Sequence, residues 1–358
     1  MRRHAIDPED FSHTPPERVC ILRLSAIGDT CHVVPLLRTL QHAWPTTKFT
    51  WIIGRLEARL MRLIPEVKFI TVDKGAGAQS WRALRQELRG QHFDLLLHLQ
   101  LALRASLLSS AIPARVRLGF DRARARELQW LFTNARIAAR TRQHVLDSFL
   151  GFADRLGIRE HTLRWGISVP PDAEGYASAI IPSGARALVI SPCSSHQYRN
   201  WRAERYAAVA AHAANKHGMR IVLCGGPSMA EREMGTAIEA LAGVPITNTI
   251  GKDTLPQLLA VLGRATAVLT PDSGPAHMAT MTATPVIGLY AATNPARSGP
   301  YSSREWCIDA YARAARAFLQ REPEGLPWTT KIERPGVMDL IGIEEVTAKL
   351  DELLASRT

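Results

Sequence analysis

The chain has 358 residues, 46% hydrophobic and 22% charged, with 44 Lys plus Arg against 33 Asp plus Glu for a formal charge of +11. That length suits two domains of about 150 residues each; the composition is globular, and no run of about 18 uninterrupted apolar residues exists to span a bilayer. The cysteines, Cys20, Cys31, Cys193, Cys224 and Cys307, are odd in number, widely spaced and without a C-x-x-C, which argues against a disulfide framework or a zinc site.

Residues 1–17 read as a loose extension closing at Pro15-Pro16. They lack the apolar core of about 7 to 15 residues that marks a secretory signal, so a cytoplasmic protein is expected. From Arg18 onward short apolar runs alternate with longer amphipathic ones: "RVCILRLS" before a helix from about Thr30, "FTWIIG" before "RLEARLMRLI", "KFITVD" before "SWRALRQELRG", and "FDLLLHLQ" before "LALRASLLSSA". Strands that are apolar throughout, joined by helical crossovers, predict a parallel sheet covered on both faces. The rhythm fades over residues 165 to 187, where Pro, Gly and Ser cluster, and the linker is placed at 171–187. It restarts with "ALVISPC", a helix over about Ala203–His217, "MRIVLCGG", "MAEREMGTAIEALAG", "ITNTIG", "TLPQLLAVLGRA", "TAVLTPD", "GPAHMATMTA" and "PVIGLYAA". The expected fold is therefore α/β, with two Rossmann-like doubly wound domains at 18–170 and 188–341. Residues 301 to 341 are irregular, and the amphipathic helix in 342–358 is a candidate to pack back on the first domain.

Ligands of doubly wound sheets bind off the carboxyl ends of strands, which makes the strand-to-helix corners the places to search. "SAIGDT", Ser25 to Thr30, carries one glycine and is neither G-x-G-x-x-G nor a Walker loop. Asp29 there is either a helix-start carboxylate matched to backbone N–H groups or a catalytic group aimed off the sheet. "SPCSSHQYRNW" brings the Ser194 and Ser195 hydroxyls close to the Arg199 cation, a combination suited to phosphate oxygens. "LCGGPSMAERE" permits close backbone approach at Gly225 and Gly226 and sets Glu231 early in a helix, where it either complements the dipole or holds a ribose diol. In "VLTPDSGPAHMAT", Asp272, Ser273 and Gly274 open a helix with His277 in its first turn, which is what a diphosphate on a helix N-terminus needs. No D-x-D occurs, so no obvious carboxylate pair holds a metal ion against a diphosphate. Between Leu101 and Arg142 nine arginines face two acids, Asp121 and Glu127. That is either a solvated face or a surface for phosphates, for which arginine's fork is suited.

In order and spacing, "ILRLSAIGDTCHVVPLL", "RLGFDRARARE", "SPCSSHQYRNW", "GGPSMAERE" and "PDSGPAHMATMTATPVIGLY" resemble glycosyltransferase family 9, the bacterial lipopolysaccharide heptosyltransferases, over roughly Arg18 to Pro300. The resemblance implies a GT-B fold, two Rossmann-like lobes facing across a cleft, with acceptor on the first and nucleotide-sugar on the second. It implies an inverting, metal-independent enzyme without cofactor that moves heptose from ADP-L-glycero-D-manno-heptose to inner-core Kdo-lipid A or heptosyl-Kdo-lipid A. On this pattern Asp29 matches the catalytic base, Arg199 the cation that grips the diphosphate with Ser194 and Ser195 beside it, and Glu231 the nucleoside-binding acid. Asp272, Ser273, Gly274 and His277 match the D-[ST]-G-x-x-H phosphate and sugar site. Relatives often carry D-x-Q-G after the fourth strand; here Gln100 remains while His98 and Leu101 replace the Asp and Gly. Gln100 with Arg122, Arg124 and Arg126 are accordingly the candidate acceptor contacts, directed at phosphates or Kdo carboxylates of an anionic glycolipid and at the surface of the inner membrane.

Two readings within the family are another nucleotide-sugar donor and a later core acceptor. A nucleotide-dependent dehydrogenase or epimerase fits the same halves, but the single-glycine first corner and the lack of an acid some 20 residues on oppose it. Nucleic acid is not an expected partner, because the charge comes without a binding motif that interleaves aromatics.

Overall fold

The computed structural model describes residues 7–357, so residues 1–6 of the expected extension lie outside the described residues. The chain divides into two compact units at Ser168/Val169. In the first, β1 (Arg18–Leu22), β2 (Lys48–Gly54), β3 (Val67–Val72), β4 (Phe93–His98), β5 (Ala114–Gly119) and β6 (Ala135–Arg136) form a parallel sheet ordered β3-β2-β1-β4-β5-β6. In the second, β7 (Ala187–Ile190), β8 (Arg220–Leu223), β9 (Ile246–Asn248), β10 (Ala267–Pro271), β11 (Val286–Tyr290) and β12 (Ile308–Asp309) repeat that order as β12-β11-β10-β7-β8-β9, again parallel. Both units are thus doubly wound, as the sequence predicts.

Position in the sheet explains the patterning. Central β1 lies between two strands and under helices on both faces, so Val19, Cys20, Ile21 and Leu22 are all buried and no alternation survives. Edge strand β3 is only half covered, and of its residues only Ile70 and Val72 are buried. Strands β5 and β6 are not read from the sequence, since "ARVRLG" hides its apolar face between arginines.

Three expectations change. Residues Pro8–Ser12 of the supposed loose extension form a helical turn whose Phe11 is buried edge-on to Trp44, with ring centroids 6.3 Å apart. The supposed linker holds a helix, Pro171–Ile180, which packs on the helix Leu255–Arg264 and buries Ala173 and Ala177. Its prolines looked like breakers, but proline at the first helical position is pre-organised for a helix start. The closing helix Ile343–Ala355, which the sequence left as a candidate to pack back on the first domain, belongs to the second unit and packs there against the helix Ala203–His217. Its Val346, Leu350, Leu353 and Leu354 join the second unit's core, each contributing about 1.5–3 kcal/mol, against about 0.2–1 for each partly exposed pair that His212, Lys216 and His217 make to Asp351. Burial, not charge, decides where it docks.

Candidate active site

A doubly wound sheet opens a ligand crevice where its strand order reverses. The reversals fall between β1 and β4 in the first unit and between β7 and β10 in the second. Asp29 and Gln100 follow β1 and β4, and Ser194, Ser195, Arg199 and the Asp272–His277 segment follow β7 and β10, the strands that flank these points, whereas Glu231 follows β8 and Arg122, Arg124 and Arg126 follow β5, one strand away.

In the first unit Asp29 sits in the first turn of the helix Ile27–Ala43, whose N-cap Ala26 offers no side-chain cap. Its carboxylate is one-third exposed and accepts from Nη2 of Arg23, which is nearly buried. Nη1 of Arg23 donates to the Leu99 carbonyl at 2.6 Å, and the guanidinium carbon lies 5.4 Å from the Phe149 ring centre. Asp29 is therefore held from beneath by a cation anchored across the switch point. Gln100 closes the same corner: its Oε1 accepts from the backbone N–H of Leu24 at 3.0 Å and of Ser25 at 3.4 Å. This joins the loop after β4 to the loop that carries Asp29.

His98 is fully buried, and its Nδ1 and carbonyl oxygen lie 3.1 and 2.8 Å from Nε2 of Gln129. Burial, reinforced by the Arg117 charge, pushes its pKa down to about 3, so the imidazole is neutral. The arginine cluster divides in two. Arg117 is committed to the carbonyls of Ile112, Ser109 and Phe132. Arg124 is committed to Asp121, Gln143 at 2.6 Å and the Ala138 carbonyl at 2.7 Å. Arg122 is exposed and lies over Trp130 at 4.9 Å, and Arg126 is exposed on the same loop after β5.

In the second unit Arg199 ends a short helical turn, Gln197–Arg199, in the loop after β7. That loop is shaped by the Ser194 N–H donating to Asn200 at 2.7 Å. Nη1 of Arg199 lies 3.4 Å from Asp272 on the corner after β10, and both side chains are 12% exposed. Ser273 is the N-cap of the helix Gly274–Met281, but its hydroxyl bonds Thr270 at 2.8 Å and makes no cap bond, which leaves first-turn amides to an incoming anion. His277 is buried in that helix. Ser194 has a buried hydroxyl with no hydrogen-bond partner, and Ser195 is exposed beside it. On the corner after β8, Glu231 accepts from the Ser228 hydroxyl at 3.2 Å, and its carboxylate lies over Gly226, where a Cβ would meet it at 2.5 Å. The second unit thus gathers one cation, a helix N-terminus and an acid from three neighbouring corners, the inventory for a nucleoside diphosphate.

Three residues escape the sequence reading. Arg23 was visible beside Asp29, yet nothing in the spacing says that it folds back. Glu333, from the irregular stretch after β12, binds Arg199 through Oε1, 2.8 Å from Nε and 2.5 Å from Nη2. Burial raises its pKa, but the bond and charge of Arg199, with Lys331 and His196 nearby, override this and hold the carboxyl below its usual range. Asp253, after β9, has its carboxyl pushed up to about 6 by burial, which its own backbone N–H and Thr249 only partly offset.

Other features stand apart. All five cysteines are free. Among the described residues, one group converges as metal ligands would, His212, His217 and Asp351; His217 closes the helix Ala203–His217 and His212 lies in its second half. That helix runs back from the β7 corner, so its last turn lies toward the amino ends of the strands. A recess of about 870 Å³, lined by Glu17, Arg18, Trp44 and Lys48, likewise borders the amino ends of β1 and β2. Neither lies where a parallel sheet binds its ligand.

Residues 81–325 match the family described as glycosyltransferase family 9 (heptosyltransferase). Over 338 residues the chain is 39% identical to the lipopolysaccharide core heptosyltransferase OpsX of Haemophilus influenzae, covering 94% of this chain and 97% of that one. Its fold is similar to that of a family 9 glycosyltransferase from Veillonella parvula (TM-score 0.78, 21% identity, 98% and 99% of the two chains). It is also similar to the Escherichia coli heptosyltransferase WaaC solved with ADP (TM-score 0.70, 22% identity, 94% and 99%).

Proposed function

The chain belongs to glycosyltransferase family 9, the heptosyltransferases, and we propose that it transfers heptose from ADP-L-glycero-D-manno-heptose to a hydroxyl of the lipopolysaccharide inner core, with inversion and without a metal ion. The proposed acceptor is Kdo-lipid A or heptosyl-Kdo-lipid A. The observation that carries this is the placing of Arg199 beside Asp272, just ahead of the uncapped helix Gly274–Met281, at the switch point of the second sheet.

In a single displacement the acceptor oxygen bonds to the anomeric carbon as the bond from that carbon to the diphosphate oxygen breaks. Asp29 takes the hydroxyl proton, and the leaving ADP carries the new charge. Arg199 and the amides of the helix Gly274–Met281 stabilise that charge, the role a divalent cation would otherwise fill. Glu231 holds the nucleoside. The absence of a D-x-D and the presence of a single arginine between Asp272 and Glu333 support a metal-free site.

A lipid acceptor is supported by the first unit's surface. Leu103, Leu107, Leu128 and Leu131 are 38 to 59% exposed, and Leu128 and Leu131 are close in sequence to Arg122 and Arg126. The Leu103 N–H donates to Glu127 at 2.6 Å, which ties the two segments together. Exposed leucines among arginines suit the interface of an anionic membrane. The reading therefore includes peripheral contact with the cytoplasmic face of the inner membrane; no helix among the described residues is long and apolar enough to cross a bilayer.

The test is release of ADP from ADP-heptose with and without Kdo-lipid A, beside UDP- and GDP-sugars. Acceptor-dependent release of ADP alone supports the reading. Release from another nucleotide-sugar transfers the proposal to that donor, and release only with a heptosylated acceptor assigns a later addition.

A further inference from the structure

The guanidinium of Arg199 has five N–H donors. Glu333 takes the edge formed by Nε and Nη2, and Asp272 lies 3.4 Å from Nη1. The edge formed by Nη1 and Nη2 keeps one hydrogen on each nitrogen, a fork that matches two oxygens of a phosphate. The charges are unbalanced: one arginine stands between two carboxylates, with the ring of His196 3.6 Å from the far oxygen of Glu333. A diphosphate arriving at this fork shares it with Glu333 and Asp272.

Glu333 is not what holds its own segment. The neighbouring Ile332 is buried and donates its N–H to the Ala292 carbonyl at 2.7 Å, while Arg334 donates to the Phe318 carbonyl at 2.8 Å. Residues on either side are anchored independently, and Glu333 reaches between them to the cation. Arg199, for its part, follows the buried β7 and precedes Trp201, itself buried and bonded to the Ile341 carbonyl.

We propose that Glu333 is a positioning residue for the sugar-nucleotide diphosphate: it fixes Arg199 by one edge so that the other faces the phosphates, and its charge weakens the hold on ADP once transfer is complete. The proposal rests on the reading of the second unit as the donor site. It gives Glu333 two separable effects, orientation through an acceptor oxygen and loosening through a negative charge. Gln in its place keeps an acceptor oxygen and removes the charge, whereas Ala removes both and frees the guanidinium to swing onto Asp272.

The experiment is calorimetric titration of the full chain with ADP and, separately, with inorganic pyrophosphate, for the wild type, Glu333→Gln and Glu333→Ala, with melting temperatures recorded. Glu333→Gln should bind ADP about fivefold more tightly, the effect of removing one like charge near the ligand, and show a lower kcat because ADP leaves more slowly. Glu333→Ala should bind ADP several-fold more weakly, with a raised donor KM. Shifts in the same direction for both variants, or changes within twofold, overturn the role of Glu333 while leaving the donor site standing. A wild type that binds neither ADP nor pyrophosphate overturns the donor reading and this role with it.

Discussion

Arg23 donates to Asp29 across the corner after β1, while its other terminal nitrogen is fixed 2.6 Å from the Leu99 carbonyl beyond β4. One side chain thereby links the two strands that flank the first unit's switch point and ends on the proposed base. A carboxylate on a helix's first turn has a choice of rotamers; one bonded to a nearly buried, doubly held guanidinium is aimed.

Arg23 should therefore act on turnover through Asp29. Arg23→Lys keeps the charge but cannot span both partners, and kcat should fall about tenfold with the donor KM unchanged. Initial-rate measurements at saturating acceptor decide it: a raised donor KM at constant kcat contradicts the assignment.

Gly226 leaves room for the Glu231 carboxylate, which a Cβ would meet at 2.5 Å. Because the clash is with the end of a flexible side chain, Gly226→Ala should fold with its melting temperature nearly unchanged. The displaced carboxylate should raise the ADP-sugar KM several-fold with little change in kcat. An unchanged KM would remove Glu231 from the nucleoside site.

Charge reversal should separate the two classes of arginine. Arg124→Glu places a carboxylate against Asp121 and unties the Ala138 and Gln143 bonds, so it should cost roughly 3–5 kcal/mol of stability. Arg122→Glu and Arg126→Glu should leave denaturant midpoints alone, raise the acceptor KM and weaken binding to anionic vesicles. Midpoints that fall equally for all three variants contradict this division.

Asp253 sets a pH dependence. An aspartate with a folded pKa of about 6 loses its proton in the unfolded chain first, so stability falls as pH rises from about 4 to 6 and levels off above. Asp253→Asn removes that cost and should gain roughly 1–2 kcal/mol at pH 8, allowing for partial screening, and nothing at pH 4. Urea midpoints at the two pH values give the comparison; an equal gain at both would trace the effect to packing.

Much of the fold was legible because β1, β4, β7 and β10 are covered on both faces and read as unbroken apolar runs. Asp29, Arg199 and the Asp272–His277 segment were legible as candidates because each follows such a run within ten residues, and Glu231 because it follows the apolar β8. Glu333 was not: it reaches Arg199 from 134 residues away, on a segment with little regular structure. The helix Pro171–Ile180 was missed because its prolines mark a start as readily as a stop. The inward commitment of Arg117 and Arg124 was hidden because charge counts do not reveal which carbonyls a guanidinium finds. Arg122 and Arg124 share a loop and a charge but not an environment.

The most direct test of the account compares Asp29→Ala with the wild type for ADP release from ADP-heptose in the presence of Kdo-lipid A, with ADP affinity measured in parallel. The account predicts unchanged ADP affinity and turnover lower by about 10²–10⁴-fold, the usual worth of a general base. Turnover within a few-fold of the wild type would contradict it, returning Asp29 to the role of a helix-start carboxylate.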